Sequence, residues 1–548
     1  MQIYHNKCFV SPFDRIIAFN TDEFKEAFKR IEEYRKNGLH LFGYIRYEAK
    51  DVFLGMEVSS PNPLLYFEVY ETFSKFTPYT PQNHINIYSE AEISFAQYKQ
   101  ALGTIKNHIA KGDTYEVNYT YPYKVYTNAN SLELYGYLTS KQPTNYNAFI
   151  INEWDEIISC SPELFFRLKN NTITTKPMKG TIARGKTEQE DIDNINFLKN
   201  DTKNQAENIM IVDLLRNDLS KLAKTGTVKV GKLFEIETHE TLHQMTSEVS
   251  AELKDNTTLY DIFDAIFPCG SITGAPKIST MNIIQETEYF PRNIYCGAIG
   301  YISKDDVEFS VPIRILQKNK KNNDNFYRYH TGGAIVWDSD CENEWQETVT
   351  KKKVLESDIE FQLIETVLIK NGEVKFYDYH KRRLEQAAKD CEFKFEQDSF
   401  IFDTSKDCIG RFLLSKDGTV RIEYRNLCEI NTNKIKISEN RINSKNRFLY
   451  YKTTFRAWYE NMLNDCYDVI FFNEKDELTE GTRSNIVLQL NGKLYTPPIK
   501  CGILNGVYRQ YMLDNNLLEE KILYKEDLKK AEKIYCINSV RGMREVEL

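Results

Sequence analysis

The feature that most constrains this chain is a break in its sequence pattern near residue 357. Residues 342–357 carry the charge pattern of a surface helix, and residues 361–369 then form an apolar, strand-like run that is closed by Asn371-Gly372. Asn-Gly is a strong signal for a tight hairpin turn. A chain of 548 residues is also too long for a single core, since domains hold about 100–200 residues. We therefore expect two separately folded parts, residues 1–356 and residues 357–548.

Both parts mix helical and strand-like periodicity. In the first part the pattern predicts helices at residues 24–35, 95–110 and 205–219 and strands at residues 164–168, 172–176, 295–303 and 327–337. In the second part it predicts strands at residues 469–473, 485–490 and 533–538 and helices at residues 380–391 and 506–515. Residues 318–325, rich in lysine and asparagine, are predicted to form a solvated loop. The expected fold class is mixed α and β in each part, with a separate core for each.

Composition argues against several classes of protein. Acidic residues outnumber basic ones by 79 to 71, a net charge of -8, whereas general nucleic-acid binding requires a basic footprint. The sequence has no run of about 18 apolar residues that could span a membrane, and its first residues lack the pattern of a secretory signal. Eleven scattered cysteines without a C-x-x-C pair argue against structural zinc and a disulfide framework. We expect a cytoplasmic chain without nucleic-acid or membrane partners.

A predicted hairpin in the first part carries a carboxylate and an amine. Residues 161–181 (SPELFFRLKNNTITTKPMKGT) contain two β-prone runs on either side of a turn at residues 169–171. Paired positions in such a hairpin have numbers that sum to about 341 or 342, so Glu163 and Lys179 should meet at its open end. A lysine whose pKa is lowered by burial can be a nucleophile, with the carboxylate as proton carrier. An ordinary cross-strand ion pair is the competing interpretation.

Carboxylates recur on two predicted helices. Glu207 opens the apolar stretch of residues 205–219, and Glu344, Glu347 and Lys351 share one face of the charged helix. Carboxylates without histidine partners suit a hard ion such as Mg²⁺, which keeps some of its waters and often bridges to an anionic substrate. For either helix alone, a solvated charged face is the competing interpretation.

Two glycine-rich segments and one arginine predict anion binding. Residues 269–277 (CGSITGAPK) lead into a helical pattern, and exposed N–H groups at such a turn can hold a carboxylate or a phosphate. Gly332 and Gly333 follow a strand and would let a ligand approach the backbone closely. Arg314 lies within an apolar run and needs an anionic partner, from the protein or from a ligand.

Taken in order, these segments resemble the chorismate-utilising enzymes. The shared motifs are SPELFF, KPMKGT, ENIMIVDLLRNDL, CGSITGAPK, YCGAIGYIS, VPIRIL, TGGAIVWDSD and ENEWQET. The family includes component I of anthranilate synthase and of aminodeoxychorismate synthase, and the isochorismate and salicylate synthases. The resemblance covers residues 1–353. It implies stacked β-sheets flanked by helices and a Mg²⁺-dependent site for chorismate, a dicarboxylate.

The resemblance also implies a role for each matching residue. Glu207 and Glu347 would carry Mg²⁺ with Glu344 nearby, and Glu163 would be the general acid. The residues implied in holding the substrate are Arg314, Tyr295, Ser271, Gly332, Gly333 and, beside the ring, His243.

Lys179 indicates the branch of this family. Enzymes that aminate C2 of chorismate to give anthranilate usually have alanine here, whereas lysine resembles aminodeoxychorismate synthase. In that enzyme's proposed mechanism the lysine amine attacks C2 as the C4 hydroxyl leaves, and ammonia then attacks C4 and expels the lysine. Glu116 stands where the isochorismate and salicylate branches need a lysine, which argues against them. The amidating enzymes more often have glutamine there, so Glu116 is a departure from them as well.

The chain has no cysteine flanked as G-x-C-x-G with a downstream histidine and glutamate, the pattern of a glutaminase. We therefore expect a separate glutaminase subunit to supply ammonia, unless free ammonium suffices.

The second part carries the residue types of a pyridoxal phosphate site. Lys452 follows aromatic residues in RFLYYKTTFR and can form a Schiff base if apolar surroundings lower its pKa. Glu480, in LTEGTRSNIV, could keep a pyridine nitrogen protonated. Residues 502–509 (GILNGVYR) place glycines at a helix start suited to a phosphate, and Arg383 could be its countercharge. The ordinary alternatives are a snorkelling lysine, a turn glutamate, a helix cap and a surface arginine.

In this order the residues resemble the class IV pyridoxal-phosphate enzymes, which include branched-chain and D-amino-acid aminotransferases and 4-amino-4-deoxychorismate lyase. The resemblance covers nearly the whole second part and implies two α/β subdomains and, as is common in the class, a homodimer. It assigns Lys452 to the Schiff base and Glu480 to the pyridine nitrogen. The remaining implied residues are Arg383, Ile503, Leu504, Asn505 and Gly506 at the phosphate, and Thr366 near the reacting centre.

Together the two resemblances favour a bifunctional synthesis of 4-aminobenzoate, a folate precursor. The first part would make 4-amino-4-deoxychorismate, and the second would eliminate pyruvate from it. Class IV enzymes share their cofactor residues, so the second part alone does not separate a lyase from an aminotransferase. One alternative is an anthranilate synthase component I joined to an aminotransferase, which Lys179 disfavours. Another is a catalytically inactive scaffold that binds chorismate and docks a glutaminase, which the intact carboxylates, Lys179 and Lys452 disfavour.

Overall fold

The structure is a computed structural model that describes residues 1–78, 80–81, 84–238, 242–322, 324–459 and 465–548. It divides into two compact units, Met1–Asp358 and Ile359–Leu548. Among the described residues, none of the helices combines the length and the apolar character needed to cross a bilayer.

The first unit consists of antiparallel sheets with helices on their faces. Its helices are α1 Thr21–Lys36, α2 Lys50–Phe53, α3 Phe95–Lys111, α4 Ser131–Lys141, α5 Glu188–Asn200, α6 Thr202–Ser220, α7 Leu259–Ile266, α8 Lys277–Thr287 and α9 Cys341–Lys352. Its strands are β1 Gln2–Tyr4, β2 Lys7–Phe9, β3 Asp14–Ala18, β4 His40–Ile45, β5 Leu65–Tyr70, β6 Ser74–Lys75, β7 Ile87–Ala91, β8 Glu116–Thr127, β9 Tyr146–Ile151, β10 Asp155–Ser161, β11 Leu164–Lys169, β12 Thr172–Lys176, β13 Met178–Ala183, β14 Lys229–Val230, β15 Glu235–Thr238, β16 Leu242–Thr246, β17 Val249–Glu252, β18 Gly274–Ala275, β19 Ala298–Ile302, β20 Asp306–Ser310, β21 Ile315–Asn319 and β22 Tyr327–Ile335.

Two large sheets and one small sheet organise the described residues of this unit. The first large sheet has the order β18-β8-β22-β21-β10-β9-β1-β2-β6, with β7 paired to β8. The second has the order β14-β17-β12-β11-β20-β19-β4-β5-β3, and β13-β16-β15 form the small sheet. One apolar core contains residues of both large sheets, such as Ile150 and Ile157 of the first and Phe42 and Phe166 of the second. The two sheets are therefore stacked across a shared core.

Capping residues set the ends of α3, which was expected at residues 95–110. Ser94 accepts a hydrogen bond from the N–H of Gln97, and the Gln97 side chain accepts one from the N–H of Ser94. Gly112, with a φ of 81°, ends the helix in the left-handed conformation that glycine adopts without strain. The apolar face of α3 packs, through Tyr98 and Ile105, into a second core.

Two expectations for the first unit are wrong. The strand predicted at residues 295–303 begins only at Ala298, because Cys296 adopts a left-handed φ of 61° that a strand does not allow. Tyr295 therefore lies in the preceding turn. Lys318 and Asn319, predicted to lie in a solvated loop, are the last residues of β21.

The second unit also mixes helices and strands. Its helices are α10 Tyr377–Asp390, α11 Val507–Asp514 and α12 Lys525–Lys530. Its strands are β23 Leu363–Lys370, β24 Glu373–Val374, β25 Cys408–Leu414, β26 Val420–Arg425, β27 Ile435–Ile442, β28 Asp468–Asn473, β29 Leu478–Gly481, β30 Asn485–Leu490, β31 Lys493–Thr496, β32 Glu519–Glu520, β33 Lys533–Asn538 and β34 Gly542–Val546.

These strands form two sheets within the described residues, each with its own core. The sheet β24-β23-β25-β26 packs on α10 through Val367, Leu384 and Phe412. The larger sheet has the order β27-β28-β29-β30-β31-β32, with β33 on β30 and β34 on β33. The predicted Asn371-Gly372 turn is confirmed: both residues have left-handed φ angles, 55° and 76°, and they join β23 to β24.

Candidate active sites

Lys179 of the first unit lies among carboxylates from two other elements. It occupies a β-bulge of β13, where one extra residue shifts the pairing with β16 and Gly180 adopts a φ of 80°. Its Nζ donates to Glu116 Oε1 at 3.1 Å and lies 3.9 Å from Glu207 Oε2. Desolvation lowers the pKa of Lys179, but the charges of Glu116 and Glu207 outweigh this effect and raise the pKa. The lowered pKa that would make Lys179 a nucleophile is therefore absent in the resting site, and the amine is an ammonium.

Glu116 is the innermost member of this cluster. It is the first residue of β8, and its side chain is fully buried. Its Oε1 also accepts from Asn118 Nδ2 at 3.1 Å, whereas its Oε2 has no hydrogen-bond partner among the described residues. Glu116, noted from the sequence only as a departure from the family pattern, is thus the direct partner of Lys179.

Glu163 approaches Lys179 without pairing with it in a hairpin. The β11–β12 ladder ends where Leu164 pairs with Lys176, since the next residue, Pro177, has no N–H to donate. Lys179 then belongs to the small sheet. The prediction that the hairpin pairs Glu163 with Lys179 is wrong, but the two charges still interact, because Lys179 lowers the pKa of Glu163.

The surroundings of Glu163 suit a proton donor. The side chain is 3% exposed and its Oε1 accepts from Ser271 Oγ at 2.6 Å. Burial raises the pKa of Glu163 to about 7, although the hydrogen bond from Ser271 and the charge of Lys179 both lower it. This carboxyl can therefore carry a proton near neutral pH, the condition under which general acid catalysis is effective.

Glu344 and Glu347 of α9 meet beside Gly333 of β22. A Cβ at Gly333 would lie 3.5 Å from Glu344 Oε2 and 3.5 Å from Glu347 Oε1, so the missing side chain leaves space that faces both carboxylates. Lys351 Nζ lies 2.7 Å from Glu347 Oε1 and donates to Gly332 O at 2.8 Å.

The donor chemistry of this region fits Mg²⁺, although the three predicted ligands are not gathered around one point. Among the described residues, no three His, Cys, Asp or Glu side chains converge as a metal site. Glu207 lies near Lys179, while Glu344 and Glu347 lie near Gly333. Oxygen ligands without histidine are those that Mg²⁺ prefers, so the residue types agree with the predicted ion, although their positions in the described chain do not by themselves form its site.

Backbone geometry constrains two of the predicted substrate-binding residues, Arg314 and Gly332. Arg314 has a left-handed φ of 54° and its carbonyl accepts from the N–H of Cys160. Its guanidinium forms no ion pair with a carboxylate in the part of the chain that the structure describes. A partly buried cation without a protein countercharge is suited to an anionic ligand. At Gly332 a Cβ would lie 2.1 Å from Tyr119 O, so the position admits only glycine.

Tyr295 and His243 have different surroundings. Tyr295 is buried and stacks on His330, with ring centroids 5.0 Å apart. The ring nitrogens of His243 lie 2.9 Å from Thr238 Oγ1 and 2.8 Å from Asp191 Oδ1. His243 is therefore bonded to its own sheet and to α5 rather than to the catalytic candidates above.

In the second unit, Lys452 opens into a cavity of about 480 Å³ whose lining also includes Glu365, Arg383, Tyr451 and Asn505. Desolvation and the charge of Arg383 lower the pKa of Lys452 to about 7, although the charge of Glu365 opposes them. Near neutral pH much of this lysine is therefore the free amine, the form that reacts with a carbonyl.

Of the residues predicted to bind the phosphate, Arg383 of α10 and Asn505 contact each other. Arg383 Nη1 donates to Asn505 O at 3.2 Å, and its Nε and Nη2 donate to Glu365 at 2.8 and 2.7 Å. In the loop before α11, Ile503 is fully buried and Gly506 is the N-cap of the helix. Arg383 and Asn505 thus line the cavity together, whereas Ile503, Leu504 and Gly506 are not part of its lining.

Glu480 of β29 is buried and accepts three hydrogen bonds. The donors are Tyr459 OH, Asn485 Nδ2 and the N–H of Leu504, each at 3.1 Å. Burial raises the pKa of Glu480 to about 8, so this carboxyl holds a proton at neutral pH until a cation such as a pyridinium favours its ionised form. Glu480 does not line the cavity that contains Lys452.

Thr366 lies opposite Arg411 on the neighbouring strand and does not line the cavity either. The residue before it, Glu365, does line the cavity and was missed from the sequence, as were His380 and Asn485. Glu365 could have been identified from the sequence, because it is a charged residue within an apolar run and a buried charge needs a partner.

The second unit fits pyridoxal phosphate. A lysine with a lowered pKa and an arginine share one cavity, and the loop before α11 approaches its neighbours so closely that a Cβ at Gly506 would lie 1.9 Å from Asn485 Oδ1. Asn485 also donates a hydrogen bond to Glu480, so it connects the loop before α11 to the Glu480 carboxyl.

Comparison with family models identifies both units. Residues 78–357 match the model described as chorismate binding enzyme, and residues 362–548 match amino-transferase class IV. The first match covers more than half of the chain.

Individual relatives resemble the first unit. Aminodeoxychorismate synthase component 1 of Escherichia coli is 36% identical over 276 residues, which are 50% of this chain and 60% of that protein. Anthranilate synthase component 1 of Aquifex aeolicus is 36% identical over 265 residues, 48% of this chain and 53% of that protein. The chain thus spans little more than half the length of these relatives.

A solved structure supports the fold of the first unit. Anthranilate synthase component I from Streptococcus pneumoniae has 23% sequence identity and a TM-score of 0.56, over 65% of this chain and 92% of that one. The chain therefore belongs to the chorismate binding enzymes, and a class IV aminotransferase domain follows its chorismate-binding domain.

Proposed function

We propose that the chain makes 4-aminobenzoate in two steps. Residues 1–356 aminate chorismate at C4 to give 4-amino-4-deoxychorismate, and residues 357–548 eliminate pyruvate from that product. The observation that carries the proposal is the position of the Lys179 amine, 3.1 Å from Glu116 and within charge range of the proton donor Glu163.

In the first step the groups of this unit act in sequence. Lys179 transfers its extra proton to Glu116, and the free amine then attacks C2 of chorismate. Glu163 protonates the C4 hydroxyl, which leaves as water. Ammonia attacks C4, and the bond between C2 and Lys179 breaks, which returns the free amine. One ammonia is consumed and one water is released.

The substrate's two carboxylates need positive charge and N–H donors. Arg314, Tyr295 and the backbone near Ser271 and Gly332 are proposed to bind them. Glu207, Glu344 and Glu347 would hold Mg²⁺, which neutralises carboxylate charge on the substrate. His243 supports the wall beside the ring.

In the second step Lys452 acts as the base. Its pKa of about 7 allows it to take the C4 proton of the amine substrate near neutral pH, and pyruvate leaves as the ring becomes aromatic. Pyridoxal phosphate, when bound, supplies an electron sink for the bond that breaks at C4. Arg383 and residues 503–506 would bind its phosphate, and Glu480 would hold a proton at its ring nitrogen. Thr366 belongs to β23, the strand whose Glu365 lines the cavity.

Two partners are part of the proposal. A separate glutaminase subunit supplies ammonia to the first unit, and the resemblance to class IV enzymes implies a homodimer of the second unit. All eleven cysteines are free thiols, which agrees with a reducing cytoplasm.

A second candidate is anthranilate synthesis by the first unit, joined to an aminotransferase. The observation in its favour is that relatives with either activity in their names are equally similar to this chain, at 36% identity. Lys179 distinguishes the two, because a nucleophile at C2 directs ammonia to C4.

The products decide between them. The pure chain is incubated with chorismate, ammonium, Mg²⁺ and pyridoxal phosphate, and the products are separated by chromatography. We expect 4-aminobenzoate and pyruvate, with 4-amino-4-deoxychorismate accumulating in Lys452→Ala. Anthranilate would support the second candidate, and unchanged chorismate would exclude both and leave a scaffold.

A further inference from the structure

Arg383, which lines the cavity, is held by a carboxylate to which the sequence patterns assign no role. Glu365 of β23 accepts from Arg383 through both of its oxygens, Oε1 from Nε at 2.8 Å and Oε2 from Nη2 at 2.7 Å. The third nitrogen, Nη1, donates to Asn505 O at 3.2 Å. All three nitrogens of the planar guanidinium are therefore fixed in direction.

This pair is an internal one rather than a surface salt bridge. The Glu365 side chain is 2% exposed, and His380, whose side chain is fully buried, also contacts its Oε2 through Nδ1 at 2.6 Å. Burial raises the pKa of Glu365, but Arg383 and His380 lower it to about 2. Glu365 is thus a nearly buried, ionised carboxylate in the lining of the cavity.

The hydrogen-bond capacity of Arg383 leaves room for a ligand. A guanidinium has five N–H donors, of which three are used here: one to each Glu365 oxygen and one to Asn505. One N–H remains on each terminal nitrogen, and such a pair can bind two oxygens of a phosphate. Arg383, Glu365 and Asn505 all line the cavity with Lys452.

We propose that Glu365 is a positioning residue for the phosphate of the cofactor: it holds one edge of Arg383 so that the free N–H groups and the loop at Asn505 face the phosphate together. This inference rests on the proposed function, in which the second unit binds pyridoxal phosphate. Glu365 also repels a phosphate as a like charge, so the proposal requires that fixing the direction of the arginine outweighs that repulsion.

The test is a binding titration of the full-length apo chain with pyridoxal 5'-phosphate and, separately, with pyridoxal, which lacks the phosphate. Glu365→Gln has nearly the same shape and loses the charge. We expect its affinity for pyridoxal phosphate to fall about 10- to 100-fold, the effect of a lost charged hydrogen bond, while its affinity for pyridoxal stays within about twofold. Thermal stabilisation by each ligand gives a second readout that does not depend on turnover.

Asp476→Asn is the matched control, because it removes a carboxylate bonded to Arg441 in the same unit but outside the cavity; it should leave both affinities unchanged. If Glu365→Gln does not fold, Glu365→Asp, which keeps the charge but withdraws the carboxylate, should weaken pyridoxal phosphate selectively. Equal or tighter phosphate binding in the folded variant, or equal loss for both ligands, overturns the inference. A wild-type chain that binds neither ligand overturns the proposed function instead.

Discussion

Replacing Glu163 by glutamine changes stability and activity of the first unit in opposite directions. Burial raises the pKa of Glu163 from 4.5 to about 7, whereas in the unfolded chain it keeps its ordinary value. As pH rises from about 4.5 to 7, the unfolded state loses this proton first, so the folded state becomes less stable. At about 1.4 kcal/mol for each pKa unit, the loss reaches about 3 kcal/mol above pH 7. Glutamine has no proton to lose, so Glu163→Gln should be more stable by this amount at pH 8 and equal to wild type near pH 4.5.

Calorimetry of the full chain, without substrate or Mg²⁺, measures this difference. Unfolding entropy is about 2.1 cal/mol/K per residue, so for a unit of 358 residues a change of about 3 kcal/mol raises Tm by about 4 °C. The same variant should lose at least about 100-fold in amination rate, because it has lost the general acid. The exposed Glu71→Gln serves as control and should change neither quantity.

A stability difference that is the same at pH 5 and pH 8 would refute the reasoning, because it would show that Glu163 titrates normally in the folded chain. Amination at the wild-type rate would refute its assignment as the proton donor.

Three further substitutions test other parts of the account. Lys452→Ala should abolish the absorbance at ~410–430 nm of the chain reconstituted with pyridoxal phosphate; a wild type that stays colourless would contradict the cofactor assignment. Gly333→Ala places a methyl group 3.5 Å from the two α9 carboxylates, and it should raise the Mg²⁺ concentration needed for half-maximal amination about tenfold. The control is Gly103→Ala, where nothing lies within 4 Å of the added methyl group; it should leave that Mg²⁺ concentration unchanged. Glu116→Gln removes the main charge that raises the pKa of Lys179, so the rise of amination rate with pH should move to lower pH. A rise that stays in place would show that Glu116 does not set the pKa of Lys179.

Local patterns predicted many of the elements in both units. The strands at 485–490 and 533–538 occur with the predicted bounds, as β30 and β33, because each is a short apolar run bounded by turn residues. The Asn371-Gly372 turn was predicted for the same local reason. These elements depend on a few consecutive residues and can be identified without knowing the fold.

The contacts of the candidate site depend on tertiary structure and were not predictable in the same way. Glu116 is separated from Lys179 by 63 residues and reaches it only because β8 and β13 come together in the folded unit. The predicted pairing of Glu163 with Lys179 does not form, because Pro177 ends the ladder and a bulge at Lys179 shifts the pairing of β13 with β16. Glu365 was missed because its partners lie on α10, at sequence separations of 15 and 18 residues.

The central claim, that Lys179 forms a bond to C2 of chorismate, can be tested by mass spectrometry. The full chain is mixed with chorismate and Mg²⁺ in the absence of ammonium, quenched with acid and digested. The account predicts a peptide containing Lys179 that has gained the mass of chorismate minus water, which disappears when ammonium is added and is absent in Lys179→Ala. An unmodified Lys179 peptide together with full amination by Lys179→Ala would contradict it.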